Sequence, residues 1–265
     1  MTSTIDSGAG IESGRLAAKA QAVARQRSRW ALFLDFDGTL VEIGESPSAI
    51  VVPTHLPLLL ARLNAALDGA FAIVTGRPVS DIDRFLAPFR PTVAGVHGAE
   101  IRAPGGRRVE VAAGPKQRKL VSGVRALCRR FQGVSLEFKP GTVAVHYRAN
   151  PEAGPPLKTG LQQIVNENPG DLVICSGRMV HEILPRRVSK GAAIETLTEL
   201  PAFRGCRPLV IGDDVTDESA FAAAVRLGGV ALKVAGEHFP PEDADFDDPA
   251  QLRSWLDVLA ANLGA

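Results

Sequence analysis

Apolar residues in the first hundred positions alternate between short continuous runs and helical stripes. The runs Ala31–Asp35, Phe71–Val74 and Val93–Val96 are typical of buried parallel strands. A helix with Thr54 as N-cap and Gly69 as its stop is predicted between the first two runs, and a helix from about Ser80 between the last two. The first helix would bury Leu56, Leu59, Leu60, Leu63 and Leu67, and the second Ile82, Phe85 and Leu86. This alternation predicts a parallel α/β sheet.

The pattern changes after the turn-rich Pro104-Gly105-Gly106. Val134–Lys139 and Thr142–Arg148 alternate with period two around a Pro-Gly turn, as a half-exposed antiparallel hairpin does. A helix over 116–131, a second one carrying Leu157 to Val165, and two further short strands at 172–175 and 179–184 complete this part. Residues 104–186 therefore predict an inserted α+β unit with an antiparallel sheet.

The α/β pattern returns after Pro185. A helix near Ser189, a strand at Pro208–Ile211, a helix burying Phe221 and Val225, and a strand at 230–234 are predicted. The last helix has Asp248 as N-cap and Pro249 at its first position. We thus expect one core from residues 29–103 and 187–265, interrupted by the insert, and an N-terminal segment (1–28) that is partly disordered or helical.

Composition narrows the class of function. Lys and Arg number 30 against 29 Asp and Glu, and this balance argues against a nucleic-acid or membrane binder. No segment has the length of a membrane span or a secretory signal. Three widely spaced cysteines, Cys128, Cys175 and Cys206, indicate buried free thiols rather than zinc or disulfides. We therefore expect a cytoplasmic protein.

The segment Asp35-Phe36-Asp37-Gly38-Thr39 follows the first strand. In a loop bent by Gly38, both carboxylates can face one phosphate; the plainer reading is a polar strand end. The segment resembles the first signature of the haloacid dehalogenase-like phosphatases. That resemblance implies that Asp35 attacks phosphorus, and that Asp37 protonates the leaving oxygen and later activates water.

Two further positions match the same family. Thr75, in Thr75-Gly76-Arg77 after the second strand, stands where the family has a hydroxyl that hydrogen-bonds the phosphoryl group. Lys190 begins a helix after the insert, where the family places a lysine that neutralises the phosphoryl oxygens. An ordinary polar turn and a solvated lysine are the alternatives. We include Arg77 among the candidate substrate contacts.

A dense carboxylate cluster follows the strand at Pro208–Ile211, in the stretch from Gly212 to Glu218. Hard oxygen ligands of this kind suit Mg²⁺. The ligand set that the resemblance implies is Asp35, the Asp37 carbonyl and Asp213, with Asp214 and Asp217 as outer or alternative ligands. Helix capping is a second reading of the same acidic residues, and both can hold.

Together, these motifs and the insert resemble the trehalose-6-phosphate phosphatases. The resemblance implies a Rossmann-like core of a parallel sheet flanked by helices, with the insert as a cap. In that family a Glu-x-Lys pair and a second Glu hydrogen-bond the distal glucose, which points to Glu137, Lys139 and Glu182. A solvated strand face is the alternative for these three. His97, in a stretch that resembles the family at the junction of core and cap, and Arg178 are further candidates for substrate contact, and a capping or core role is the favoured alternative for His97.

The resemblance implies magnesium-dependent hydrolysis of trehalose 6-phosphate, the last step of trehalose biosynthesis. Another sugar phosphate, such as sucrose phosphate, is the nearest alternative substrate, and a sensor that binds without turnover is a more distant one. The expected partner is a small sugar phosphate, with a functional link to a trehalose-6-phosphate synthase.

Overall fold

The computed structural model describes residues 30–44, 49–110, 118–168 and 170–264. The predictions for residues 1–28 lie outside this part of the chain, as does the start of the helix expected from residue 116. Two sheets organise what is described, one of seven strands and one of four. The mixed α/β fold with a separate antiparallel sheet is confirmed.

The seven-stranded sheet has the order β11-β10-β1-β2-β3-β4-β5. Its first five strands pair in parallel, and β4 and β5 are added antiparallel. The central strands are continuous apolar runs because helices cover both faces of the sheet. The strands are β1 (Trp30–Leu34), β2 (Phe71–Val74), β3 (Thr92–Gly95), β4 (Glu100–Arg102), β5 (Arg108–Glu110), β10 (Arg207–Gly212) and β11 (Val230–Lys233).

Five helices pack around this sheet: α1 (Leu56–Ala66), α2 (Val79–Phe85), α5 (Lys190–Thr198), α6 (Glu218–Arg226) and α7 (Pro249–Asn262). Side-chain caps begin two of them, since Ser189 accepts from the amide of Ala192 and Asp248 from that of Gln251. Two local predictions are wrong. His55, not Thr54, is the residue before α1. Val225 is 66% exposed, because it lies on the outer face of α6.

The sequence pattern does not indicate strands β4 and β5, and it predicts residues 108–110 as part of the inserted unit. Each has only three residues, and charged side chains interrupt the apolar pattern. In the structure β5 pairs with β4 and so extends the larger sheet. The chain therefore passes to the smaller sheet only after β5.

The four-stranded sheet has the order β6-β7-β9-β8, and all its neighbours are antiparallel. Its hydrophobic core lies between the strands and two helices and is separate from that of the larger sheet. The elements are α3 (Arg118–Cys128), β6 (Ser135–Lys139), β7 (Thr142–His146), α4 (Gly154–Glu167), β8 (Leu172–Gly177) and β9 (Val180–Pro185). Short 3-10 turns lie at Val96–Gly98, Pro104–Gly106, Pro151–Ala153, Val215–Asp217 and Pro241–Asp243.

The structure also bears on the expected absence of membrane spans and on the state of the cysteines. None of the helices described combines the length and the apolar character that a bilayer crossing requires. All three cysteines are free thiols. Only Cys128 is fully buried, whereas Cys175 and Cys206 are partly exposed, so the expectation of burial holds for one of the three.

Candidate active site

A cavity of about 850 Å³ lies between the carboxyl edge of the larger sheet and the smaller sheet. Its volume falls within the range of small-molecule sites. Ligands of open α/β sheets bind at this edge, where β1, β2 and β10 end. Twelve of the candidate residues line the cavity: Asp35, Asp37, Thr75, Arg77, His97, Glu137, Lys139, Arg178, Glu182, Lys190, Asp213 and Asp214.

A buried lysine joins two carboxylates at the floor of this cavity. The Lys190 ammonium, at the first turn of α5, lies 2.9 Å from Asp35 and 2.8 Å from Asp217. Asp35, Asp213 and Asp217 each present an oxygen within 4.8 Å of the others. Three buried carboxylates against one ammonium leave an excess of negative charge, which a cation would balance.

The pKa values of this cluster reflect burial and crowding. Burial raises the pKa of Asp35 well above its ordinary value, and the charges of Asp217 and Asp213 add to this while Lys190 opposes it. Burial also raises the pKa of Asp213 to about 7, against the hydrogen bond from Thr39. For Lys190, burial would lower the pKa, but the carboxylates of Asp217 and Asp35 raise it above its usual value. Protons therefore compete with a metal ion for Asp35 and Asp213.

The loop after β1 is shaped to receive Asp213. Gly38 has φ +81°, and a Cβ there would lie 2.0 Å from Asp213 Oδ2. Thr39 donates a 2.7 Å hydrogen bond to Asp213 Oδ1. The glycine thus allows a close approach that any side chain would block, and the threonine fixes the orientation of the carboxylate.

Asp217 and Asp214 differ in position. Asp217 Oδ2 accepts from the amides of Asp213 and Asp214, while its other oxygen meets Lys190. Asp214 caps the turn at Val215–Asp217 by accepting from the amide of Val215. The structure therefore brings Asp217, rather than Asp214, beside Asp35 and Asp213, and Asp214 has the capping role that was the second reading.

Arg77 makes a bidentate ion pair with Asp37. Its Nε and Nη2 each lie 2.6 Å from a different oxygen of that carboxylate. The guanidinium also stacks 5.1 Å from the centroid of the Phe85 ring and lies 3.8 Å from Asp81. Such pairs fix geometry strongly. Arg77, which the sequence suggested as a substrate contact, is thus directed at Asp37.

Thr75 is buried and closes the end of β2. Its hydroxyl accepts a hydrogen bond from the amide of Arg77 at 3.2 Å, which holds the turn after the strand. The hydroxyl proton remains available to an acceptor in the cavity.

The smaller sheet contributes charged residues to the opposite wall. Lys139 lies 2.5 Å from Glu182 and also donates to the carbonyl oxygen of Gly76 at 3.2 Å. Glu137 accepts from His146 at 2.8 Å, which lowers its pKa. These side chains line the cavity, so the strand face that could have been merely solvated forms part of its wall.

Arg178 and His97 also join the two parts of the structure. Arg178, in the β8–β9 turn, lies 2.7 Å from Glu237 of the larger unit. His97, after β3, places its Nε2 3.2 Å from Glu182 on β9. Arg178 and His97, the two candidates for substrate contact, therefore both contact carboxylates of the protein itself.

The sequence assigned no role to several residues whose contacts shape the site, among them Thr39, His146 and Glu237. Thr39 belongs to the motif after β1, so its position was a signal that could have been used. His146 pairs with Ser135 across the hairpin, which puts its side chain on the same face as Glu137, and this follows only once the hairpin register is known. Glu237 lies in a loop, where no pattern in the sequence marks it.

Comparisons with known proteins point to one family. The sequence model of the trehalose-phosphatase family matches residues 33–244. A probable trehalose-phosphate phosphatase of Sinorhizobium fredii (strain NBRC 101917 / NGR234) is 39% identical over 90% of this chain and 91% of its own length. The trehalose-6-phosphate phosphatase of Escherichia coli (strain K12) is 37% identical, over 89% of this chain and 88% of its own. The C-terminal domain of C. albicans trehalose-6-phosphate phosphatase superposes with a TM-score of 0.76 at 21% identity, covering 92% of this chain and 96% of that one, a likeness of fold.

Proposed function

Because this chain belongs to the trehalose-phosphatase family, we propose that it hydrolyses trehalose 6-phosphate to trehalose and phosphate, the last step of trehalose biosynthesis. One observation carries the proposal: a single cavity joins Asp35 and Lys190 on one wall to Glu137, Lys139 and Glu182 on the other. The first wall has the groups for phosphoryl transfer, and the second has the donors and acceptors that a polyol needs.

In the proposed mechanism, the carboxylate of Asp35 attacks phosphorus, and the bond between phosphorus and the sugar oxygen breaks. Asp37 gives its proton to that leaving oxygen. Asp37 then removes a proton from water, which attacks the aspartyl-phosphate and releases phosphate and free Asp35. Lys190, buried beside Asp35, offsets the negative charge of the phosphoryl oxygens, and the Thr75 hydroxyl donates to one of them.

The carboxylate cluster fits a magnesium ion. Asp35 and Asp213 would hold it together with the carbonyl oxygen of Asp37, and Asp217 would stay paired to Lys190 as an outer support. A bound Mg²⁺ would supply positive charge that favours ionised Asp35 and neutralises the phosphate. The fit rests on the geometry, since oxygens of Asp35, Asp213 and Asp217 lie within 4.8 Å of one another in a buried site; a nearby cation would also lower the raised pKa values of Asp35 and Asp213.

The smaller sheet would bind the sugar. We assign Glu137, Lys139 and Glu182 to hydroxyl groups of the disaccharide, with Arg178 at the mouth of the cavity. In domain terms, the larger sheet up to β5, together with residues 187–265, would form the catalytic core, and the chain from beyond β5 to residue 186 would form the cap. We place the enzyme in the cytoplasm, because its thiols are free, and expect a functional link to the synthase that makes its substrate.

A substrate panel with magnesium tests the proposal. The wild type should release phosphate from trehalose 6-phosphate, and should lose this activity with a chelator present. Asp35→Asn should be inactive but folded, while the exposed matched control Asp257→Asn should keep full activity. Release from sucrose 6-phosphate alone would support the alternative substrate, and binding of trehalose 6-phosphate without any release would support the sensor.

A further inference from the structure

The turn after β3 has an unusual backbone. Val96 and His97 have φ values of +49° and +57°, in the left-handed region that side chains, and β-branched ones above all, avoid. Two hydrogen bonds hold the turn there: the amide of Val96 donates to the carbonyl of Arg77, and that of His97 to the carbonyl of Thr75. Backbone kept in such a conformation by its surroundings is common at functional sites.

This turn contacts two parts of the proposed phosphoryl site. The His97 ring lies over Gly76, where a Cβ would be 2.8 Å from His97 Cε1. On the other side, Gly98 is packed against α5, because a Cβ there would lie 2.8 Å from Ala193 Cβ. The turn therefore touches both the loop of Thr75 and the helix that Lys190 begins.

The same histidine reaches the smaller sheet. His97 Nε2 lies 3.2 Å from Glu182, whose side chain is only 3% exposed. Among the described residues, neither His97 Nδ1 nor Glu182 Oε2 has a hydrogen bond, so the ring meets this carboxylate through the 3.2 Å contact of Nε2 with Oε2. A buried carboxylate needs partners, and Glu182 has one from its own sheet, Lys139, and one from the larger unit, His97.

These contacts connect the two walls of the cavity. Lys139 binds Glu182 and the carbonyl of Gly76, and the His97 ring packs on Gly76 and meets Glu182. Glu182 therefore has its second polar neighbour, His97, only when the smaller sheet lies against the turn after β3. Moving the smaller sheet away would separate the carboxylate from His97.

We propose that His97 is a positioning residue that acts through Glu182, holding the sugar-binding wall in register with the loop of Thr75, rather than a residue that contacts the substrate. The inference rests on the proposed function, since it assigns the sugar to the wall of Glu182. Its consequence is selectivity: a sugar phosphate that uses this wall depends on His97, whereas a small phosphate ester that cannot reach the wall does not.

The test compares two substrates in one variant. His97→Asn keeps a residue that tolerates the left-handed backbone but removes the ring. We expect kcat/KM for trehalose 6-phosphate to fall at least about tenfold, mainly through KM, with 4-nitrophenyl phosphate hydrolysis within about twofold of wild type. The exposed His55→Asn is the matched control and should change neither activity. An equal fall for both substrates, or no fall for either, would overturn the proposal.

A second variant and a double-mutant cycle complete the test. If His97→Asn does not fold, His97→Gly carries the same test, because glycine adopts this φ without strain. In a double-mutant cycle, His97→Asn and Glu182→Gln should be non-additive by about fivefold or more, and additive effects would refute action through Glu182. Failure of the proposed function would look different, since the wild type itself would then release no phosphate from trehalose 6-phosphate.

Discussion

Lys190 is the residue whose replacement should damage the metal-free protein most clearly. Its ammonium is buried between Asp35 and Asp217, with Asp213 in the same cluster. In Lys190→Met the methionine fills most of the same volume, so the change removes chiefly the charge. Three buried carboxylates then remain without their cation.

The size of the effect follows from the burial of the group. Removing one partner from a buried ion pair costs about 3–5 kcal/mol. The midpoint of thermal unfolding shifts by roughly 2–4 °C for each kcal/mol in a protein of this size, so the variant should melt about 6–20 °C below wild type. The pKa values of Asp35 and Asp213 are raised, so protonation neutralises these two carboxylates at low pH, and the loss should be larger at about pH 8 than at about pH 5.5.

Circular dichroism melts of wild type and Lys190→Met, with chelator and with Mg²⁺ at both pH values, measure this. Mg²⁺ should recover part of the lost stability, since it supplies positive charge to the same cluster. Lys158→Met, at an exposed lysine of α4, is the matched control and should stay within about 0.5 kcal/mol of wild type. A loss below about 1 kcal/mol at pH 8 in chelator would refute the reasoning that Lys190 compensates buried charge.

Three further predictions concern the metal, the acid and the packing. Because the pKa of Asp213 is raised to about 7, this carboxyl holds a proton in the folded protein at lower pH. The stability of the metal-free protein should therefore fall as pH rises from about 4 through 7, which thermal shift measures. Mg²⁺ should bind more tightly above pH 7, which titration calorimetry measures. Arg77→Met should slow hydrolysis of trehalose 6-phosphate about 100-fold, because Arg77 holds the general acid Asp37 in place. The effect on the initial burst from 2,4-dinitrophenyl phosphate should be much smaller, since its leaving group needs no proton. Equal losses for the two substrates would contradict this role of Arg77. Gly191→Ala places a Cβ 2.4 Å from the carbonyl of Ser219 and should cost about 1–3 kcal/mol in urea unfolding; an unchanged midpoint would contradict it.

The parallel sheet could be predicted because each central strand is a continuous apolar run buried on both faces. The same runs placed Asp35, Thr75 and Asp213 at one edge, since carboxyl ends of parallel strands meet there. The short strands β4 and β5 could not be predicted, because three residues with alternating charge do not distinguish a strand from a loop.

Pairings between charged groups were the part that the sequence left open. It offered Arg77 as a substrate contact and Asp214 as an outer or alternative metal ligand, and only the structure shows that Arg77 pairs with Asp37 and that Asp214 caps a turn. Each outcome depends on loop conformation, which local residue patterns do not determine. The left-handed turn at His97 is a case in point, because surrounding contacts hold a backbone that its own residues disfavour.

Strand β1 lies in the middle of the larger sheet, between β2 and β10, and Trp30 pairs with Arg207. During synthesis, β1 and Asp35 therefore leave the ribosome long before β10, the second strand that pairs with β1, has been made. Until β10 pairs with it, one edge of β1 has unpaired backbone hydrogen-bonding groups, and pairing between strands so distant in sequence forms slowly. Until β10 pairs with β1, the chain holds the nucleophile without Asp213 beside it, so the carboxylate cluster is complete only after the strand at Arg207–Gly212 is in place.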